Sequence, residues 1–164
     1  MAFDSTLQRQ IMGRFATGVT VVTTSFNEEI TGMTANAVIS LSLDPGLVAV
    51  SIDKSASMHE HISEGKSYAI NILHLDQKEI SNRFAKPGPK DFLDIDFEKS
   101  ISGSPILKGV VAWLDCQLVQ TVSVGDHDLF LGEPIAGSVN EGTPLIYYGG
   151  KYDSLVAAEV REDH

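Results

Sequence analysis

Val19-Thr20-Val21-Val22-Thr23-Thr24 places six β-branched residues in a row. Such side chains lose rotamer freedom in a helix and pack well on a pleated surface, so this segment reads as a strand. The pattern upstream of it is different. Leu7, Ile11, Met12 and Phe15 recur at helical spacing, Ser5-Thr6-Leu7-Gln8 fits a capping box, and Thr17-Gly18 supplies a stop. A helix is therefore expected over 5–16. Downstream, Asn27-Glu28-Glu29 serves as a hairpin connection to a second strand over 30–37.

The same reading continues toward the C-terminus. Leu47-Val48-Ala49-Val50-Ser51-Ile52 is an almost continuous apolar run, as in a strand buried on both faces. Residues 110–122 form the longest strand candidate. Ala112, Leu114, Cys116 and Leu118 share one of its faces, while Asp115, Gln117 and Gln120 point the other way. Further strands are expected over 129–139 and 144–148, with helices over 56–64 and 77–84. Pro and Gly punctuate 86–104, which reads as a lid or surface loop. Many strands with few short helices predict a mainly β fold, a barrel with helical insertions. No G-x-G-x-x-G follows a strand, so there is no Rossmann fingerprint.

At 164 residues, 43% of them hydrophobic, the chain is long enough for one core, and neither a repeat nor a linker divides it. One domain over 1–164 is expected. The net charge of −10 repels phosphate backbones, and the 12 Lys and Arg form no run, so nucleic acid is excluded as a partner. A single cysteine, Cys116, excludes a disulfide framework and any multi-cysteine metal site. No apolar stretch approaches the roughly 20 residues that span a bilayer. Residues 1–13 lack the layout of a signal peptide, and a cytoplasmic protein with no membrane partner is expected.

Three segments carry candidate chemistry. In Gly32-Met33-Thr34-Ala35-Asn36-Ala37-Val38-Ile39-Ser40, small and hydroxylated residues stand where a sheet usually has bulky ones. They would let a planar ligand approach the backbone, although a plain strand leading into a turn would look similar. In Asp53-Lys54-Ser55-Ala56-Ser57-Met58-His59-Glu60, a strand gives way to a helix around a lysine and two serines. That arrangement suits a phosphate cradle or, through Ser57 and Glu60, a simple capping box. His59 and His61 lie two apart and point in different directions on a helix, with no acidic or cysteine partner at ligand spacing, so no metal site is expected. Arg83 closes the second helix, where it can pair with a phosphate or favour the helix terminus. In Gly125-Asp126-His127-Asp128, a hairpin turn carries a histidine able to reach a ligand at a barrel mouth.

Together these segments resemble the flavin reductase-like family, the short-chain reductase components of two-component flavin monooxygenases. The resemblance rests on Phe15-Ala16-Thr17-Gly18-Val19-Thr20-Val21-Val22-Thr23-Thr24, Gly32 to Asn36 with Ser40-Leu41-Ser42-Leu43-Asp44-Pro45, Asp53-Lys54-Ser55, Arg83-Phe84-Ala85, Gly125-Asp126-His127 and Tyr147-Tyr148-Gly149-Gly150-Lys151-Tyr152, in the family's order. It implies a split β-barrel of Greek-key topology with short flanking helices, an FMN-binding split barrel. It also implies a homodimer with FMN or FAD near the subunit interface, NADH or NADPH as electron donor, and a monooxygenase receiving reduced flavin.

By the same resemblance, Thr34, Ala35, Asn36, Ala37 and Ser40 lie along the isoalloxazine and ribityl chain. Asp53, Lys54, Ser55 and His59 lie toward the ribityl and phosphate end, and Arg83, Phe84 and Ala85 close the phosphate side. His127 approaches the nicotinamide as the catalytic residue, and Tyr148, Gly149 and Tyr152 border the nicotinamide site. Ala37 replaces a serine common in the family, and Pro45-Gly46 replaces Pro-Pro. Two other readings share the barrel: a non-catalytic flavin-binding electron carrier, and an oxidase of the pyridoxamine-phosphate type.

Overall fold

The structure, a computed structural model, describes residues 2–156, so Met1 and residues 157–164 of the expected single domain lie outside the described residues. The elements run α1 (Ser5–Met12), β1 (Thr17–Gly18), β2 (Thr20–Phe26), β3 (Glu29–Ala35), β4 (Val38–Leu43), β5 (Gly46–Asp53), α2 (Ser57–Gly65), β6 (Ser67–Ile72), α3 (Lys78–Ala85), β7 (Phe97–Lys99), β8 (Pro105–Leu107), β9 (Ala112–Val124), β10 (His127–Val139), β11 (Ile146–Tyr148) and β12 (Lys151–Asp153). The fold is mainly β. Seven strands form one antiparallel sheet in the order β3-β2-β6-β9-β10-β5-β4, and β1, β11 and β12 form a second.

The connection from β3 to β4 decides the shape. These strands occupy opposite edges of the seven-stranded sheet, yet only Asn36 and Ala37 join them. Six inter-strand steps would set the edges of a flat sheet about 29 Å apart. Three Cα steps reach only about 11 Å. The sheet must therefore curl until its edges meet at this corner, where the Ser51 amide donates to Ala37 O at 3.0 Å. Since β3 and β4 do not pair with each other, the barrel stays split along that line.

β2 lies between two cores. Val22 packs inside the curl with Val50, Ile52, Met58, Ile62, Tyr68, Ile70 and Phe130, while Val19 and Val21 face outward onto Leu73, Phe84, Leu107 and Leu145. Its threonines are buried as well, and each donates its hydroxyl to a carbonyl. Thr20 donates to Ala35 O at 2.7 Å, Thr23 to Pro105 O at 2.5 Å and Thr24 to Ser67 O at 2.7 Å. Buried hydroxyls so paired avoid the desolvation penalty that would otherwise oppose folding.

The structure departs from the sequence reading at several elements. The first helix ends at Met12, and its cap is Asp4, whose carboxylate accepts from the Thr6 amide at 2.8 Å; Ser5 is the first helical residue. None of its side chains is buried, so the stripe of Leu7, Ile11 and Met12 faces outward, as does Phe15 beyond it. β4 and β6 are additional strands. The 86–104 stretch is more ordered than a loop: it contains β7, and Phe92 stacks edge-on between Phe84 at 5.0 Å and Phe97 at 5.5 Å. Asp115 does point away from the main core, but it is fully buried there. Its carboxylate accepts from the Ser102 amide at 2.9 Å and the Ser102 hydroxyl at 2.5 Å.

Candidate functional site

A cavity of about 850 Å³ opens between β3, the start of α2, and the chain that leaves α3. Its walls are Thr31, Gly32 and Met33 on β3, Ser55 to Met58 with His61 at α2, and Phe84 to Lys90. Gly32 sits against Phe84: a Cβ there would lie 2.9 Å from the Phe84 ring, closer than packed carbons tolerate. β3 thus approaches the ring closely because it lacks a side chain at this position.

The start of α2 differs from the expected capping box. Ala56 is the N-cap, and no side chain caps the helix. Ser57 is the first helical residue. Ser55 is held instead by Asp53, whose Oδ1 accepts from the Ser55 amide at 2.8 Å and the Ser55 hydroxyl at 2.7 Å. Those bonds hold the Asp53 carboxyl below its ordinary range, with a further contribution from nearby His127.

A second group gathers where β5 and β10 pair, with Asp53 opposite His127. The His127 Nδ1 lies 2.7 Å from Asp126 Oδ1. Lys54 turns toward the β9–β10 hairpin, donating to Ser123 Oγ at 2.7 Å and Gly125 O at 2.8 Å, and its ammonium lies 3.5 Å from Asp128 Oδ1. The other Asp128 oxygen bonds His59 Nε2 at 2.7 Å, and the His59 ring meets Phe130 edge-on at 5.1 Å. His59 holds the Asp128 carboxyl below its ordinary range. Asp128 thus links the helix start, the lysine and the hairpin bearing His127. It is not among the expected site residues, because its partners lie far away in sequence.

A third group joins β3 to the C-terminal strands. Thr34 Oγ1 donates to Ser81 O at 2.6 Å, and the Ser81 hydroxyl lies 2.8 Å from Tyr152 Oη. The Lys78 ammonium stands 5.6 Å from the centre of the Tyr152 ring. Gly149 donates its amide to Gly13 O at 2.8 Å, and Gly149 and Gly150 both take positive φ in the turn after the exposed Tyr148. Ala35 is buried, while Asn36, Ala37 and Ser40 are exposed at the corner and along β4.

Of the expected site residues, Ser55, Phe84 and Ala85 line the cavity itself. Arg83 does not. It forms a two-pronged ion pair with Asp94 and also donates to Asp91 O, on a different hollow lined by Glu79, Ile80 and Lys108. Asp94 holds it protonated, and Arg83 in turn holds the Asp94 carboxyl low. Met33, Met58, His61, Lys86 and Lys90 also line the cavity and are not among the expected site residues. Met58 and His61 share one helix face, a signal open to periodicity. Among the described residues, no group of three or more His, Cys, Asp or Glu is placed to hold a metal ion, and no helix is long and apolar enough to cross a membrane.

The cavity suits a flavin. Its size falls within the range of about 300–1,000 Å³ usual for small-molecule sites. Met33 offers apolar surface to a ring above the buried Met58 and Phe84, and the serines and uncapped amides of α2 offer donors to a phosphate.

Comparisons with known proteins agree. The reductase component of the flavin-dependent trigonelline monooxygenase of Acinetobacter baylyi is 41% identical over 146 residues, which are 88% of this chain and 47% of that protein. This chain therefore spans about half the length of that relative. The FMN reductase (NADH) SmoA of Agrobacterium fabrum is 40% identical, with 88% of this chain and 82% of that protein covered. Among solved structures, the flavin reductase PheA2 in its native state superposes with a TM-score of 0.87 at 46% identity, covering 94% of this chain and 99% of that one. The model of the flavin reductase like domain matches residues 12–156, and the chain belongs to that family.

Proposed function

We propose that this protein is an NAD(P)H-dependent flavin reductase that passes hydride from NADH or NADPH to FMN or FAD, acting in the cytoplasm as a single domain over 1–164. The observation that carries the reading is the cavity beside β3, where the glycine at 32 admits the Phe84 ring and an uncapped helix start faces the same space. Flavin and nicotinamide supply the redox chemistry themselves when bound. The protein's task is to orient the two rings and exclude water. Alignment of this kind is worth about 7–11 kcal/mol in favourable cases. No reactive thiol is needed for this: Cys116 is buried, and burial pushes its thiol up to about 12.

In this reading Thr34, Ala35, Asn36, Ala37 and Ser40 run along the flavin. Asp53 fixes Ser55 for the phosphate end, and Lys54, Asp128 and His59 hold the His127 hairpin. His127 and the turn at Tyr148, Gly149 and Tyr152 meet the nicotinamide. A second copy of the chain completes the site. Ile39, Leu41 and Leu43 stand exposed on edge strand β4, next to the exposed Asn36 and Ser40, and the α1 stripe is exposed as well. Covering that apolar surface would seat flavin at a homodimer interface. The name of the Acinetobacter baylyi relative as a reductase component supports a monooxygenase as recipient of the reduced flavin.

The test follows nicotinamide oxidation with each nicotinamide and each flavin in turn. Flavin-dependent oxidation in at least one pairing is expected; none in any of the four defeats the proposal, and flavin binding without oxidation points to an electron carrier. Within that assay, His127→Ala is expected to lower kcat/KM for the nicotinamide roughly tenfold, the equivalent of one hydrogen bond of about 1.4 kcal/mol, with flavin affinity unchanged. Unchanged nicotinamide kinetics would remove His127 from the site.

A further inference from the structure

We propose that Ser81 is a positioning residue for the nicotinamide: its buried hydroxyl fixes Tyr152 against α3, the helix whose backbone also holds β3. This deepens the flavin reductase reading and rests on its placement of Tyr152 beside the nicotinamide.

Tyr152 stands on a slight support. β11 and β12 are three residues each, and the two residues of β1 complete their sheet. So short a ribbon is marginal by itself, and its position depends on what it docks against. Within the ribbon, the Tyr152 ring meets Tyr147 edge-on at 5.7 Å. The anchors from outside it come from α3. Ser81 Oγ lies 2.8 Å from Tyr152 Oη, and the Lys78 ammonium stands 5.6 Å from the centre of the ring. Three residues apart on a helix, Lys78 and Ser81 share one face. They grip the ring and the phenol oxygen together.

Ser81 is suited to this task and to little else. Its side chain is fully buried, and Tyr152 is the one hydrogen-bond partner of its hydroxyl among the described residues. Tyr152 is half-buried, so its own hydroxyl can turn to water once Ser81 is truncated. The loss then falls on the placement of the ring more than on the stability of the fold. The Ser81 carbonyl serves the other wall. It accepts from Thr34 Oγ1 at 2.6 Å, and Thr34 follows the cavity-lining Met33 on β3. Truncating the side chain leaves that carbonyl in place, so β3 stays attached while Tyr152 is released. One helix thus sets the separation of the two walls, and hydride transfer depends on how the two rings are held relative to each other.

The experiment compares the natural protein, Ser81→Ala, Tyr152→Phe and the double variant by nicotinamide kinetics, equilibrium flavin titration and urea unfolding. Ser81→Ala is expected to raise KM for the nicotinamide about fivefold, as for one neutral hydrogen bond. Its kcat and flavin affinity should change by less than about a factor of two. Tyr152→Phe keeps the ring and loses the same bond, so it should give the same rise, and the double variant should be no worse than either single one. Because Tyr152 is half-buried, its phenylalanine variant carries the test should Ser81→Ala fail to fold. An unchanged nicotinamide KM overturns the proposal. So does equal weakening of flavin and nicotinamide, which marks a role in the fold alone, and so does a double variant in which the two effects multiply. Failure of the natural protein to oxidise either nicotinamide with either flavin defeats the reductase reading itself.

Discussion

Phe84→Ala is expected to destabilise the protein by about 3–5 kcal/mol and to abolish measurable flavin binding, even where the variant remains folded. The two effects have one source. Phe84 is 1% exposed and sits in the outer core with Val19, Val21, Leu73 and Leu107. Its ring meets Phe92 edge-on at 5.0 Å, so truncation also releases the aromatic chain that runs on to Phe97. The site cannot collapse cheaply, because Gly32 has no side chain to move into the space. A void left there therefore persists, which places the cost toward the upper end for a core aromatic. Against a total stability of about 5–15 kcal/mol, a loss of this size shifts the unfolding midpoint strongly. Urea titration gives the stability change, and flavin titration well below the midpoint gives the binding change. Phe84→Leu should recover most of the stability and, with it, most of the affinity, since it refills the space behind Gly32. A loss below about 1 kcal/mol for the alanine variant would mean that the outer core tolerates the hole, and the account of Gly32 and Phe84 would fail.

How much of the molecule is legible in the sequence depends on how far each residue's partner lies along the chain. Val19 to Thr24 declares a strand because every side chain is β-branched, a local property. The apolar run at 47–52 likewise appears as the central part of β5. β6 is missed although Tyr68, Ile70 and Ile72 alternate with Ser67, Ala69 and Asn71 and pack on the inner core; the residues between them are buried as well, so the strand lacks the exposed polar face that marks an alternating strand. Its polar members are satisfied by strands distant in sequence, which no local pattern reveals. β4 is hidden for the opposite reason: Ser40 and Ser42 look like turn residues until the ladder to β5 organises them. The site divides along the same line. Phe84, Ala85 and Ser55 follow from segment order, and they do line the cavity. Which cations stand on its wall is not readable, because Lys54 is engaged by residues near 125 and Arg83 by Asp94 across a loop.

Asn71 offers the second large effect, and one whose pH dependence has a definite sign. It is fully buried on β6, donating Nδ2 to Val21 O and Thr23 Oγ1, each at 3.1 Å, and accepting from the Leu107 amide at 2.8 Å. One side chain thus ties β8 to both β2 and β6. Asn71→Leu leaves the Leu107 amide and the Val21 carbonyl buried without this partner. At about 1–3 kcal/mol for each unsatisfied group, the expected loss is about 2–6 kcal/mol. Asn71→Asp keeps the volume and the acceptor but turns a second oxygen toward Val21 O and Pro105 O, where the amide had donated. Burial and those carbonyls favour the protonated acid, so its folded pKa rises above the value of about 3.9 in the unfolded chain. The folded state then binds the proton more tightly than the unfolded one. Stability relative to the natural protein is therefore retained below about pH 4 and falls as pH rises toward the folded pKa, by up to about 1.4 kcal/mol per unit. Urea unfolding at a series of pH values from about 4 to 8, with the natural protein measured alongside, reads the difference directly. A flat difference across that range would show that the introduced carboxyl finds solvent or a cation. In that case β8 is not sealed onto β2 and β6 as the structure places it.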